Sequence, residues 1–238
     1  MKRLKSRRVI YAGAVLAATT VLAACASQPV APPPPPKQVA VVIPPKPYPP
    51  LGASPNFTTP PMDANGIRHT VNVGLSPEQI VWNLRSAYNV AALNCQKSEH
   101  AAILDGYGAF LKKNSRVLAS VNRKLDKMYR ADHGSKYIHA RERYQTQVYN
   151  YFAFPPTLPA FCDAVLQMSR QMQASPPADL TDYAATELPQ IDSVFGEFFN
   201  SFDQYRSDLA AWEARYGAGP ITRADTRQIQ GRIQGMPQ

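Results

Sequence analysis

The sequence lacks the short motifs by which the common enzyme classes are recognised. Among its 238 residues there is no HExxH zinc-protease motif, no GxSxG nucleophile elbow and no glycine-rich loop of the kind that holds a phosphate. It also lacks an apolar run of the roughly 20 residues that span a bilayer as a helix, and it has only three cysteines. We therefore predict no enzymatic activity, no cofactor and no permanent transmembrane helix.

The amino-terminal leader has two clear zones. Five cations and no acidic residue precede a short apolar stretch from Val9 to Leu22. A cationic segment followed by a short apolar one and then by small residues is typical of a signal that directs export and is removed afterwards. The five cations are Lys2, Arg3, Lys5, Arg7 and Arg8.

The leader ends in Leu22-Ala23-Ala24-Cys25, which resembles the lipobox of bacterial lipoproteins. The resemblance implies cleavage between Ala24 and Cys25, a diacylglycerol thioether on Cys25 and an amide-linked third acyl chain. Each buried CH₂ contributes about 0.8 kcal/mol, so several chains hold a protein firmly at a membrane. Ala26 stands where a familiar inner-membrane retention signal has Asp, so the resemblance also favours the outer membrane, facing the periplasm. Simple secretion after a small-residue site is the alternative.

Removal of the leader changes the charge balance. The whole chain carries 26 Lys and Arg against 17 Asp and Glu, a formal charge of +9, but five of these cations lie before Cys25. The mature protein would therefore carry about +4. Much of the basic excess belongs to the export signal, and the envelope holds little nucleic acid, so we expect no nucleic-acid partner.

Acylation of Cys25 would leave Cys95 and Cys162 as the remaining cysteines of an exported protein. An oxidising compartment permits a disulfide between them. A bond between residues this far apart in the sequence closes a large loop, which stabilises the fold by roughly 4 kcal/mol in the chain-entropy model. Two buried free thiols are the alternative, because the sequence does not fix the distance between the two Cα atoms.

Residues 25–66 are predicted to be a disordered, proline-rich linker. The run Pro32–Pro36 is followed by pairs such as Pro44-Pro45 and Pro60-Pro61, which leave few backbone N–H groups for regular structure. Such segments favour the polyproline II helix and act as semi-rigid spacers, here with a reach on the order of 100 Å. Docking of the prolines into an aromatic groove is the alternative.

Residues 67–217 are predicted to fold as an all-α, antiparallel bundle of four to five helices. Alternation of apolar and polar residues over 67–73 suits a short strand or an extended arm before the bundle. Apolar residues then recur every three or four positions, which indicates helices with one buried face. The first predicted helix begins at a capping box at 76–79, and the second runs unbroken over about 98–133. A third covers about 137–154 and a fourth begins near 157. A short helix over 180–187 and a long one over 191–216 complete the set. Residues 218–238 are predicted to be a flexible tail.

The last helix carries the most regular pattern. Eight apolar or aromatic residues alternate spacings of four and three, a 3.5-residue repeat of coiled-coil type. Aromatic side chains fit the holes of a simple dimeric coiled coil poorly, so we expect this seam to pack inside the bundle rather than against a second copy. The seam residues are Ile191, Phe195, Phe198, Phe202, Tyr205, Leu209, Trp212 and Tyr216.

One face of the predicted 98–133 helix is basic, opposite an apolar stripe that includes Val117 and Val121. Such a face could contact anionic lipid headgroups or the carboxylates of peptidoglycan, with each cation contributing about 1 kcal/mol near an anionic surface. A solvated face that keeps the helix soluble is the alternative. We define the basic face as Lys112, Arg116, Arg123, Lys127 and Arg130.

Asp132, His133, His139 and Glu142 cluster around a predicted turn between two helices. Histidine and carboxylate side chains can hold zinc. This spacing matches no metal motif, and charged side chains are common at helix ends. We therefore predict no metal site.

Together these features predict a membrane-anchored envelope lipoprotein whose helical body is a non-catalytic scaffold or binds an envelope protein partner. An envelope-acting enzyme and a bundle that binds a small molecule or glycan are the alternatives. The binding alternative requires an open aromatic cleft beside Tyr144, Tyr151 or Phe202, whereas filling of these positions by neighbouring side chains favours the scaffold.

Overall fold

The apolar stripes of the sequence pack around one central helix. The computed structural model describes residues 42–217, and those from Ile43 onward belong to one compact unit. Regular structure in this range is helical, which confirms the predicted all-α bundle, and sheet-like pairing there is limited to one antiparallel bridge between Met62 and Arg68. The α-helices are α1 (Pro77–Asn94), α2 (Ala102–Lys113), α3 (Ser115–His133), α4 (Tyr137–Phe152), α5 (Leu158–Ala174) and α6 (Leu180–Tyr216).

Helix α1 is the central element and packs against the other five α-helices. It begins with the predicted capping box: the Ser76 side chain accepts from the Gln79 N–H, and the Gln79 side chain accepts from the Ser76 N–H. Pro77 costs no intrahelical bond, because the N–H at the first helical position has no helical partner anyway. Small buried residues such as Ala87 and Ala91 let the neighbouring helices approach closely.

The prediction of one unbroken helix over 98–133 is wrong. A 3-10 turn at Ser98–His100 is followed by α2 and α3, which are separated by Asn114. The Asn114 backbone leaves the helical region (φ −99°, ψ 12°), and its side-chain amide donates to the Phe110 carbonyl oxygen over 3.0 Å. This local bond competes with the helix. Beyond the break Leu118 is buried, whereas Val117, predicted to be buried, is 41% exposed.

The prediction of two separate helices after residue 180 is also wrong, because α6 runs through Pro189. A proline removes one backbone hydrogen bond and usually kinks or ends a helix. Here the Asp179 side chain caps the first turn by accepting from two of its N–H groups. The buried stripe also continues across the proline, with Leu188 and Ile191 almost fully buried. Burial on both sides of Pro189 offsets the lost bond.

The predicted linker extends too far along the chain, because residues 43–66 pack on the helices. We call residues 43–75 the strap. Phe57 of the strap lies among aromatic rings, with its centroid 5.0 Å from Phe154, 5.5 Å from Phe198 and 5.2 Å from Phe202. A single well-placed aromatic ring can bury 150 Å² or more, which is enough to fix a segment whose described regular structure is one short 3-10 turn at Pro50–Gly52.

Polar bonds fix the strap along α6. The Thr59 hydroxyl donates to Asp203 over 2.8 Å, and the Arg68 guanidinium contacts the same carboxylate at 2.7 Å. Nearer its start, the strap accepts a 2.8 Å bond from Trp212 Nε1 at the Pro44 carbonyl oxygen. Proline lacks an N–H but keeps its carbonyl acceptor, so a proline-rich segment can still bind side-chain donors.

The core beneath the strap is aromatic. Phe152, Phe161, Phe195 and Phe202 are all fully buried, and the first five seam residues, Ile191 to Tyr205, are buried inside the bundle as predicted. The later seam residues Leu209, Trp212 and Tyr216 are only partly buried. No helix within residues 42–217 combines the length and the apolarity needed to cross a bilayer.

Candidate functional site

A disulfide joins the two predicted cysteines. Cys95 follows the last residue of α1, Cys162 lies in α5, and their Cα atoms are 5.6 Å apart. Both residues are buried, at 7% and 3% exposure. The predicted pair is therefore confirmed, and the bond ties the end of the central helix to its neighbour α5.

A buried histidine beside the disulfide was not predicted. His100 is 3% exposed, and its Nε2 lies 2.7 Å from the Asp163 carboxylate, next to Cys162 in sequence. Its Nδ1 is buried without a hydrogen-bond partner among the described residues. The pair fastens the loop between α1 and α2 to α5. Lone His and Asp residues 63 positions apart carry no sequence pattern that would have indicated it.

The basic face is exposed and spans the break at Asn114. Lys112 lies in α2 and the other four cations lie in α3. Arg130 is held by Tyr137: its guanidinium lies 4.2 Å from the ring centroid and donates to the hydroxyl over 2.6 Å. Within residues 42–217 the remaining four, Lys112, Arg116, Arg123 and Lys127, form no ion pair.

Two neighbouring cations, one in α3 and one in α4, are paired instead. Lys124 contacts Glu78 of α1 at 3.0 Å, and this bond lowers the pKa of the Glu78 carboxyl. Arg141 pairs with Asp126, an acidic residue that lies between Arg123 and Lys127 of the basic face, and also donates to Asn122. Because Asp126 is neutralised by Arg141, it does not neutralise the basic face.

Charge is divided between two parts of the bundle. Residues 102–143 contain ten Lys or Arg and four Asp or Glu, whereas α6 contains seven Asp or Glu and two Arg. Helix α3 packs on α1 and α4, whereas α6 packs on α1 and α5. Groups of one sign on one surface attract a partner of the opposite sign and steer its approach.

The His and acid cluster at the α3–α4 turn does not assemble. His139 Nδ1 lies 3.9 Å from Glu142, with both side chains mostly exposed. His133 stacks on Tyr129 instead, with 5.9 Å between ring centroids. Across the described part of the chain, no three His, Cys, Asp or Glu residues lie close enough together to hold a metal ion.

Of the three aromatic positions that could border a binding cleft, one is open. Phe202 is fully buried against Phe57. The Tyr144 hydroxyl accepts a 2.8 Å bond from Asn83, and burial raises its pKa to about 12. Tyr151, by contrast, lines an open cleft of about 340 Å³ between the strap, α4 and α6. The cleft is also lined by Phe57, Phe154, Phe195, Phe199, Gln147 and Asn150.

The predicted cleavage and lipidation residues, Ala24 and Cys25, lie outside the described residues, as do the leader, the first part of the linker and the 218–238 tail. No protein-family model matches the chain, no curated protein matches its sequence, and no solved structure matches its fold. The function must therefore be inferred from the chemistry of its own residues.

Proposed function

We propose that the protein is a lipid-anchored envelope lipoprotein whose helical body is a non-catalytic scaffold. In this proposal acylated Cys25 holds the body at the outer membrane, facing the periplasm, and the basic face binds an anionic partner there. The observation that carries the binding role is the exposure of four cations that form no ion pair within residues 42–217.

Two features support the location. The Leu22-Ala23-Ala24-Cys25 sequence resembles a lipobox, and the body contains a disulfide between Cys95 and Cys162. Disulfides form and persist in oxidising compartments such as the periplasm and are rare in the reducing cytosol. Export and the disulfide are thus mutually consistent.

The strap shortens the tether that the sequence predicted. Because the packed unit begins at Ile43, the chain between Cys25 and the body can span at most about 65 Å when fully extended. The body would therefore stay close to the membrane that holds the anchor, within reach of partners at that surface.

The charge pattern of the basic face favours a role in partner binding over a role in solubility alone. A solvated helix face usually mixes both signs of charge, and the pairing of Lys124 with Glu78 and of Arg141 with Asp126 shows this mixture nearby. Arg116, Arg123 and Lys127 are spaced by seven and four residues, so they share one face of α3, and they form no ion pair within residues 42–217. Clustered cations raise the association rate and the specificity for an anionic partner.

Cross-linking in living cells tests the proposal. We expect wild-type protein to be cross-linked to a specific envelope component, and Cys25→Ser to lose both the acyl group and that component. Mass spectrometry of the mature amino-terminal peptide reports acylation independently. An unmodified Cys25 would contradict the anchor, and partners that do not depend on Cys25 would contradict the anchored scaffold.

The open cleft beside Tyr151 favours a second function, the binding of an apolar small molecule or glycan. We expect Asn150→Trp, which places a bulky ring on the exposed rim, to block such binding without unfolding the bundle. Fluorescence of an apolar dye, titrated into the wild type and the variant, measures the difference. Equal dye binding by the two proteins would exclude this cleft as the site.

A further inference from the structure

A second cleft lies between α5 and α6, and no residue of the basic face lines it. Its volume is about 470 Å³, and it contains one acidic residue, Glu187. Glu187 is only 8% exposed. The surrounding side chains are apolar or neutral and include Met168, Ile191, Gln167, Gln171 and Gln190.

Glu187 has no partner within residues 42–217 that explains its burial. Its carboxylate forms no hydrogen bond or ion pair within residues 42–217, in contrast to other acids of the same helix. Asp192 accepts from Tyr151, Asp203 pairs with Arg68, and Glu213 pairs with Lys46. Burial alone raises the pKa of the Glu187 carboxyl. A buried, unpaired carboxylate destabilises a fold, so folding does not account for its place.

The carboxylate still has access to solvent through the cleft. The described side-chain oxygen and nitrogen atoms that are sealed from solvent without a partner belong to Asn83 and His100, not to Glu187. Since Glu187 lines the cleft, a molecule that enters there can reach its carboxylate. The position combines the three properties of a counter-ion site: negative charge, low exposure and an open approach.

The neighbouring groups define the chemistry of the ligand. A single carboxylate matches a single positive charge, and the amide oxygens of Gln167, Gln171 and Gln190 can accept the further N–H donors of an ammonium group. Met168 and Ile191 offer apolar surface for an aliphatic chain. Charge-assisted hydrogen bonds of this kind are stronger than neutral ones.

We propose that the cleft between α5 and α6 binds a primary ammonium group on a short aliphatic chain, with Glu187 as its counter-ion. Such a group occurs in free diamines and in the side chain of lysine. This site is separate from the basic face, so the two proposals stand or fall independently.

Calorimetric titration of the full-length protein with two probes tests this site. The probes are 1,5-diaminopentane and Nα-acetyl-lysine amide, and 1-pentanol is the uncharged control. We expect at least one amine to bind and the alcohol not to bind. Binding of the diamine alone identifies a free diamine as the source, and binding of the lysine derivative identifies a peptide side chain.

Three variants distinguish amine binding at this site from a general attraction of amines to the acidic helix α6. Glu187→Gln keeps the shape of the side chain and should weaken amine binding about tenfold or more. Gln190→Trp should block the cleft at its exposed rim while keeping the carboxylate. Glu197→Gln removes an exposed charge from the same helix and should leave the affinity within about twofold, because exposed charges are screened.

The proposal is overturned by any of three results. These are absence of amine binding to the wild type, equal affinity of wild type and Glu187→Gln, and equal weakening by Glu187→Gln and Glu197→Gln. Circular dichroism and a cooperative unfolding transition confirm that each variant is folded before its affinity is compared.

Discussion

Helices α3 and α6 differ in the residues that they bury and in the charges that they expose. The buried residues of α6 include four phenylalanines, and its acidic side chains bind the strap. Helix α3 buries four residues, none of them phenylalanine, and exposes most of its cations. The difference indicates that stability resides largely with α6 and its neighbours, whereas α3 is free to carry charge that the fold does not need.

The largest expected effect comes from the aromatic cluster on α6. Phe202→Ala would leave a cavity beside Phe57 and should lower the free energy of unfolding by about 3–5 kcal/mol. Tyr216→Ala, in the same seam but partly exposed, should cost less than about 1 kcal/mol. Urea unfolding of both variants measures the contrast. Similar losses of stability in the two variants would contradict a seam whose contribution to stability decreases towards the end of α6.

The disulfide should rank second. Replacing Cys95 and Cys162 together by Ala should lower the free energy of unfolding by about 2–4 kcal/mol, because the unfolded chain is released from a large loop. Wild-type protein treated with a reductant is the control and should lose a similar amount. Unchanged thermal unfolding after both treatments would contradict a bond between these cysteines.

Two glycines of α2 differ in the space around them, one in a packed and one in an open position. A Cβ at Gly106 would collide with the Tyr88 and Ser169 hydroxyls, which share a 2.5 Å hydrogen bond, whereas a Cβ at Gly108 would meet nothing within 4 Å. Gly106→Ala should therefore destabilise by about 1–3 kcal/mol. Gly108→Ala should stabilise by up to about 1 kcal/mol through helix propensity. Thermal unfolding of the pair decides whether α2 packs in this register.

Glu187 should give the smallest change in stability, and one that depends on pH. Burial raises its pKa in the folded state above the ordinary 4.5, so the folded protein binds this proton more tightly than the unfolded chain. The contribution of Glu187 to stability is fully present below the ordinary pKa of its carboxyl in the unfolded chain. It is lost as pH rises through the raised pKa of the folded protein. Tyr183 is the ionisable neighbour on α6, and α5 presents Gln167, Gln171 and Met168.

Glu187→Gln should consequently resemble the wild type in stability near pH 4 and be the more stable of the two at pH 7. Urea midpoints of both proteins at the two pH values measure this, since the other acids contribute equally to each and cancel in the difference. A difference that does not vary with pH would contradict a raised pKa at this position.

The sequence predicted what depends on periodicity and could not predict what depends on one contact. Regular spacing indicated the helices, the burial of the seam as far as Tyr205 and the position of both cysteines on buried faces. The break at Asn114 depends on a side chain that bonds its own helix. The strap depends on Phe57, a single ring within a composition that otherwise indicates disorder. Continuity through Pro189 depends on burial on both sides, which no local rule contains.

We expect the anchored body to bind its partner through the basic face. In vivo cross-linking of a variant with Arg116→Gln, Arg123→Gln and Lys127→Gln tests it directly, against a control with Lys97→Gln, Arg170→Gln and Arg206→Gln. The control removes the same number of exposed cations from other surfaces. Both variants should unfold within about 0.5 kcal/mol per substitution of the wild type.

We predict that the first variant loses the cross-linked partner and that the control keeps it. Retention of the partner by the first variant, or equal loss of the partner in both variants, would contradict binding through the basic face.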